Sequence, residues 1–227
     1  MTKKIENQEE LVVAEAVSKT ERFFEENGKK VIIAIVVLLL LVGCGYAYKY
    51  LVVDKNEAAA QELIVAAQSN FSGENPNYEL ALNGDESGAG FLDVIEQYGS
   101  TDAGNLAKHY AGICYLRLGD LENAAKYLKK YDAVGGSVVA EIIDAQNIGL
   151  QGDVAVEQGN YEEAAALFAK AVKVSDNGYT APYYLSKQAA ALEAAGETAK
   201  AQECYKAITE KYPNSAEARE ADKLLGL

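Results

Sequence analysis

Three stretches of the chain repeat one spacing of small and large residues, and that recurrence limits the possible folds more than any other feature. They are GICYLRLGDLENAAKYLKKY (112–131), GDVAVEQGNYEEAAALFAKA (152–171) and AAALEAAGETAKAQECYKAI (189–208). Each begins with a small residue (Gly112, Gly152, Ala189) and has a glycine seven positions later (Gly119, Gly159, Gly196). An alanine follows after five more (Ala124, Ala164, Ala201), then a large residue after another four (Leu128, Phe168, Tyr205). The second-place glycines are 40 and 37 residues apart. This spacing predicts pairs of antiparallel helices, A and B. Glycine after helix A takes the left-handed conformation that ends a helix. Asp120 or Asn160 then caps helix B, and Asn160 with Glu163 has capping-box spacing. The small residues let A and B approach closely, and the large one is expected to fill the gap between neighbouring repeats. Each pair has an apolar face that only stacking can bury, so the expected class is an all-α solenoid.

With the turn glycine taken as position fifteen, the pattern resembles the tetratricopeptide (TPR) repeat. Tyr115 matches position eleven, Ala171 position twenty-seven, and Tyr212-Pro213 closes the third repeat where that family has its proline. The stretches depart from the family in lacking a tryptophan at position four and in having Tyr131 and Ile208 where alanine is usual. Six and three extra residues separate the repeats, and Gly135-Gly136 and Asp176-Asn177-Gly178 are expected to absorb them as loops. Residues 54–71 read as a helix and 90–107 as a B helix, a turn and the next A helix, joined by a polar loop around NPNYELALNGDESG (75–88). The expected organisation is a degenerate leading repeat over 54–104, three TPR-like repeats over 105–213 and a capping helix over 214–227. In that last helix Ala218, Ala221 and Leu225 face inward.

Before the repeats, Val31 to Tyr48 is 18 residues without a charge, and Leu51-Val52-Val53 extends the apolar run past Lys49. At about 1.5 Å per residue the uncharged part covers roughly 27 Å, close to a hydrocarbon core of about 30 Å. Lys29 and Lys30 close its near end, while Tyr46, Tyr48, Lys49 and Tyr50 crowd the far end, where such side chains anchor in the headgroup layer. Residues 31–53 are therefore expected to form a single transmembrane helix. Leu41-Val42-Gly43-Cys44 also resembles a bacterial lipobox, but its leader would be 30 residues long with seven glutamates, unlike a short basic secretory signal. Arg22, Lys29 and Lys30 precede the span closely, whereas only Lys55 follows it before Lys108, which predicts a cytoplasmic N-terminus. Residues 1–30 then form a cytoplasmic tail. Within it, 9–28 read as a short amphipathic helix with Val13, Val17, Thr20 and Phe24 on one stripe, broken by Gly28, or as a frayed tail.

Composition narrows the partners. Of 21 Lys+Arg and 34 Asp+Glu, seven of each precede residue 54, so the remainder carries 14 basic and 27 acidic groups, a net of -13. Such a surface repels phosphate backbones and anionic headgroups, and nucleic acid is not expected as a partner. Cys44, Cys114 and Cys204 form no disulfide framework and no CxxC pair, and they read as small hydrophobes. The sequence contains no GxxxxGK[ST], HExxH, GxSxG or calcium loop, and no cofactor is expected. His109 is the only histidine and reads as a surface residue, so nothing supplies a catalyst. The TPR register implies instead a protein-binding groove on the A helices. It would use Leu106, His109, Ile113, Leu116 and Arg117 in the first repeat and Gln146, Gly149, Asp153, Val156 and Glu157 in the second. The third repeat would add Tyr183, Ser186, Ala190, Glu193 and Ala194.

The whole arrangement resembles the YfgM-like ancillary subunit of the bacterial SecYEG translocon, which has a short tail, one span and a periplasmic TPR domain. The resemblance covers about 200 residues, including YGST (98–101). It implies an inner-membrane protein with its C-terminal domain in the periplasm. The implied partners are SecYEG and a membrane-anchored periplasmic chaperone, with no enzymatic activity. The alternative is an envelope-assembly TPR lipoprotein acylated at Cys44. Intact mass of the protein from its membrane separates the two: the expected chain retains residues 1–30, and a chain beginning at acylated Cys44 overturns the uncleaved span.

Overall fold

The computed structural model describes the backbone of residues 2–226 and side-chain surroundings at 21, 23 and 25–226. It divides into two compact units, Met1–Lys55 and Asn56–Leu227. In the first, α1 (Thr2–Tyr48) is followed by a π-helical segment, Lys49–Val53, in which Asp54 N–H reaches back to Lys49 O. Gly28 lies within α1 and does not break it, because a helix-interior glycine costs only about 1 kcal/mol relative to alanine. The stripe Val13, Val17, Thr20 and Phe24 lies outside the described side chains. One helix among the described residues is long and apolar enough to cross a membrane, with a window of mean hydropathy 2.7 of which 0% is buried. Lys29, Lys30, Tyr46, Tyr48, Lys49 and Tyr50 are all exposed. Cys44 is exposed too, because no protein surface covers the apolar window.

The second unit is all-α apart from one four-residue β pair among the described residues. It begins with α2 (Asp54–Phe71) and α3 (Tyr78–Asn83), then β1 (Gly84–Asp85) and β2 (Gly88–Ala89), paired antiparallel with Gly84 opposite Ala89. The polar loop expected over 75–88 is therefore half helical. Asn77 caps α3 by accepting the Leu80 N–H (3.0 Å), and Ala81 and Leu82 are buried, enough to order the turn. There follow α4 (Phe91–Tyr98), α5 (Asp102–Arg117), α6 (Leu121–Lys129), α7 (Val138–Glu157), α8 (Tyr161–Val174), α9 (Thr180–Ala194), α10 (Thr198–Lys211) and α11 (Ala218–Leu225). Ala218 and Ala221 of α11 are buried and Leu225 packs beside them.

Three helical hairpins, α5–α6, α7–α8 and α9–α10, turn in the same way. The glycine N–H bonds a carbonyl three residues back (Gly119 to Leu116, 3.2 Å; Gly159 to Val156, 2.9 Å; Gly196 to Glu193, 2.9 Å). The next residue's N–H reaches five back (Asp120 to Tyr115, 2.9 Å; Asn160 to Ala155, 2.8 Å; Glu197 to Leu192, 2.8 Å). This Schellman arrangement needs a left-handed residue, and the three glycines have φ of 80°, 76° and 80°. Asp120 caps α6 by accepting the Asn123 N–H (3.0 Å). Asn160 makes no side-chain cap bond, so the capping box with Glu163 is absent; the main-chain turn alone sets the start of α8.

Close packing inside the first two hairpins explains their small residues. A Cβ on Gly112 would sit 2.6 Å from Leu128 Cγ, and one on Gly152 would sit 2.7 Å from Phe168 Cε1. The large residue therefore covers the small one of its own repeat first, rather than only bridging neighbours. Leu128 and Phe168 are buried as a result. Gly152→Ala is expected to destabilise the fold by about 1–3 kcal/mol, the usual range for overpacking a filled core. Urea denaturation followed by circular dichroism measures this, and Phe168→Leu in the same chain should recover part of the loss.

Candidate protein-binding groove

A groove of about 700 Å³ runs across the A helices α5, α7 and α9 and the segment before α11. Arg117 closes one side from the end of α5. Ile142, Gln146, Gly149, Leu150 and Asp153 rise from α7, and Tyr179, Thr180, Tyr183 and Tyr184 come from the start of α9. Asn214, Ser215, Ala216 and Glu217 complete the wall. Gly149 makes this possible, because a Cβ there would meet Tyr184 Cε1 at 2.3 Å. That close approach seats the Tyr184 ring against α7 and brings its neighbour Tyr183 to the groove; the two rings meet edge to face at 5.0 Å.

The groove carries a fixed ion pair. Lys187 Nζ donates to Asp153 Oδ1 at 2.6 Å and lies 5.5 Å from the Phe168 ring centre and 5.3 Å from that of Tyr183. Burial works against the Lys187 ammonium, but the hydrogen bond and charge of Asp153 outweigh it and hold its pKa above the ordinary lysine value. Burial raises the Tyr184 hydroxyl, which stays protonated. Ser215 Oγ, also in the wall, is the one buried side-chain polar atom among the described residues without a hydrogen-bond partner. These groups offer aromatic faces, donors and acceptors, a surface suited to a segment of another protein.

Of the residues the repeat register points to, Arg117, Gln146, Gly149, Asp153 and Tyr183 come together in this groove. Leu106, Leu116 and Val156 pack against core clusters instead. Glu157, Ala190, Glu193 and Ala194 are exposed and Ser186 is half-buried, all outside the groove lining. Ile142, Leu150, Tyr179, Tyr184 and Ser215 lie outside the register's five positions per repeat. Tyr179, next to the Asp176-Asn177-Gly178 loop signal, was nonetheless detectable as an aromatic with no apolar partner in the periodic pattern.

His109 is not the surface residue expected: it is 1% exposed, and Ile113 one turn on is 8% exposed. Tyr131, which stands in the first repeat where alanine is usual, and Asn147 of α7 lie against it. Tyr131 donates its hydroxyl to Asp144 Oδ1 (2.7 Å), and Asp144 also accepts the N–H groups of Val134 (3.1 Å) and Gly135 (2.9 Å). The Tyr131 ring lies 5.7 Å from the His109 ring, centre to centre, and Asn147 Nδ2 donates to His109 Nδ1 at 3.2 Å. Asp144 and Asn147 are themselves buried. His109 is thus a satisfied core residue. Burial likewise raises the thiol pKa of Cys114 to about 12 and of Cys204 to about 11, which leaves both unreactive at neutral pH.

Two family models match the chain, and both are described as tetratricopeptide repeat: one over residues 150–216 and one over residues 107–132. The first covers α8, α9, α10 and the C-terminal part of α7, and the second covers α6 with most of α5. No curated protein matches the chain. The fold is therefore that of a TPR-like solenoid, a scaffold class whose members bind other proteins.

Burial lowers the His109 pKa from 6.5 to about 4, against smaller raising effects from Gln146 and Asp144. As pH falls below 6.5 the unfolded chain takes up this proton before the folded one does. Stability from this site is complete above pH 6.5 and is lost progressively toward pH 4. The loss by pH 5 is about 2 kcal/mol. Urea midpoints measured between pH 7.5 and 5 should fall accordingly, and the fall should be less than half as large in His109→Gln.

Proposed function

We propose that the chain is a membrane-anchored periplasmic scaffold that binds other proteins through its A-helix groove. In this reading it is ancillary to the Sec translocon and a membrane-anchored periplasmic chaperone. Residues 1–30 are the cytoplasmic tail, 31–53 the span, 54–104 the leading repeat, 105–213 the three TPR-like repeats and 214–227 the cap.

The observation that carries the reading is the groove, in which Arg117, Gln146, Asp153 and Tyr183 from three successive A helices share one wall system. A mixed aromatic and polar lining suits an extended or helical segment rather than a small metabolite. The uncovered apolar window of the first unit supports a membrane anchor, since a surface that large is not left to water. The lysine bias before the window supports a cytoplasmic N-terminus and hence a periplasmic solenoid. The translocon assignment rests on the likeness of the whole arrangement to the YfgM-like subunits.

Photo-crosslinking in cells from Tyr183 and Gln146 is expected to capture Sec components or a periplasmic folding factor. Glu157 serves as the control position outside the groove. Affinity purification from solubilised membranes that recovers neither class of protein would sink the assignment.

A further inference from the structure

We propose that the groove takes a segment of another protein with an acidic side chain at one end, a basic side chain at the other and apolar residues between. The inference rests on the groove reading above and deepens it, because it assigns the charge pattern of the partner.

The charged side chains lining the groove are Arg117, Asp153 and Glu217. Asp153 is occupied, since Lys187 Nζ lies 2.6 Å from its Oδ1. That pair leaves the middle of the groove without net charge. Arg117 and Glu217 form no ion pair among the described residues. The groove therefore presents one free charge of each sign. The two stand far apart in the stack, in which α5 packs on α7, α7 on α9, α9 on α10 and α10 on α11. Arg117 is the last residue of α5, and Glu217 stands immediately before α11. Alternate helices of an antiparallel stack share one direction, so the end of α5 and the starts of α9 and α11 lie at opposite edges. A bound segment then crosses the groove diagonally from one to the other.

Each part of the lining selects one part of such a segment. The Arg117 guanidinium is exposed and offers a planar fork of donors that matches a carboxylate. At the other end the Glu217 carboxylate accepts from an ammonium or guanidinium group. The Tyr179 ring, 83% exposed at the start of α9, gives the same cation an aromatic face. Tyr183 is less free for this role, because Lys187 already lies 5.3 Å from its ring centre. From α7 and α9, which stand between, Ile142 and Leu150 contribute half-buried aliphatic side chains, and Tyr184 is buried. A segment carrying both charges is held in one direction, since reversal brings like charges together at both ends. The repeat domain has a net charge of -13, which by itself favours a segment basic at both ends. Arg117 is where the groove selects against that field.

The probes are synthetic peptides, acetylated and amidated, with alanine-valine cores of graded length. They carry glutamate and lysine at the two ends in either order, lysine at both ends, or glutamate at both ends. Binding to the full-length chain in phosphatidylcholine nanodiscs is read by fluorescence anisotropy against empty nanodiscs. A mixed peptide is expected to bind about threefold more tightly than the peptide with lysine at both ends, the usual worth of one exposed ion pair. Arg117→Glu should move the preference to lysine at both ends, and Glu217→Lys should move it to glutamate at both ends. The two substitutions together should restore the mixed peptide. Glu157→Lys changes the domain charge as much as Glu217→Lys does, yet it lies outside the groove lining and should leave the ranking unchanged. Arg117→Gln and Glu217→Gln should each erase the preference at their own end, and they serve should a reversal not fold. If Tyr183→Ala abolishes binding but the peptides rank by net charge alone in every variant, this inference falls and the groove reading stands. Binding that is absent, or indifferent to Tyr183→Ala, overturns the groove reading and this inference with it.

Discussion

The contact between a side chain of helix B and a missing side chain on helix A holds the first two repeats together. Leu128 rests where Gly112 has no Cβ, and Phe168 rests where Gly152 has none. Interiors packed to crystal-like density leave no slack at such a point, so the spacing between the two helices follows from these pairs. The Schellman turns at Gly119, Gly159 and Gly196 fix the remaining freedom, because each closes its hairpin with the same two main-chain bonds. With spacing and turn set, neighbouring A helices are near enough for Gly149 to receive Tyr184. The groove follows from that second close approach.

The hairpins were legible in the sequence because their determinants are local. A turn glycine, a small residue seven before it and a large residue nine after it lie within one repeat. The apolar window was equally legible, since hydropathy and flanking lysines need no tertiary information. Gly28 misled because composition marks a possible break but not whether flanking turns will bridge it. The loop over 75–88 misled in the opposite direction: Asn77 and two buried residues, Ala81 and Leu82, nucleate a turn that polar composition hides.

The groove was only half legible, and His109 shows why. A register assigns positions to faces on the assumption that every repeat meets its neighbour alike. Tyr131, standing in the first repeat where alanine is usual, breaks that assumption: its ring lies against His109, which is buried beside Asn147. The groove consequently moves toward α7 and α9 and gains Tyr179 and the segment before α11. A departure from the repeat pattern reads as a neutral change in the sequence, but here Tyr131 supplies the cover for a core histidine.

Charge placement on the repeats has a local origin. Lysines in the last turn of α6, α8 and α10 complement the negative end of each helix dipole, and glutamates in the first turn of α6 and α8 complement the positive end. Each choice is worth a few tenths of a kcal/mol to its own helix. The A helices run the opposite way and obey the same rule, with Asp102 and Glu141 in the first turns of α5 and α7 and Arg117 in the last turn of α5. Across an antiparallel stack the two directions offset each other, so these charges serve their own helices and do not divide the domain into a basic and an acidic edge.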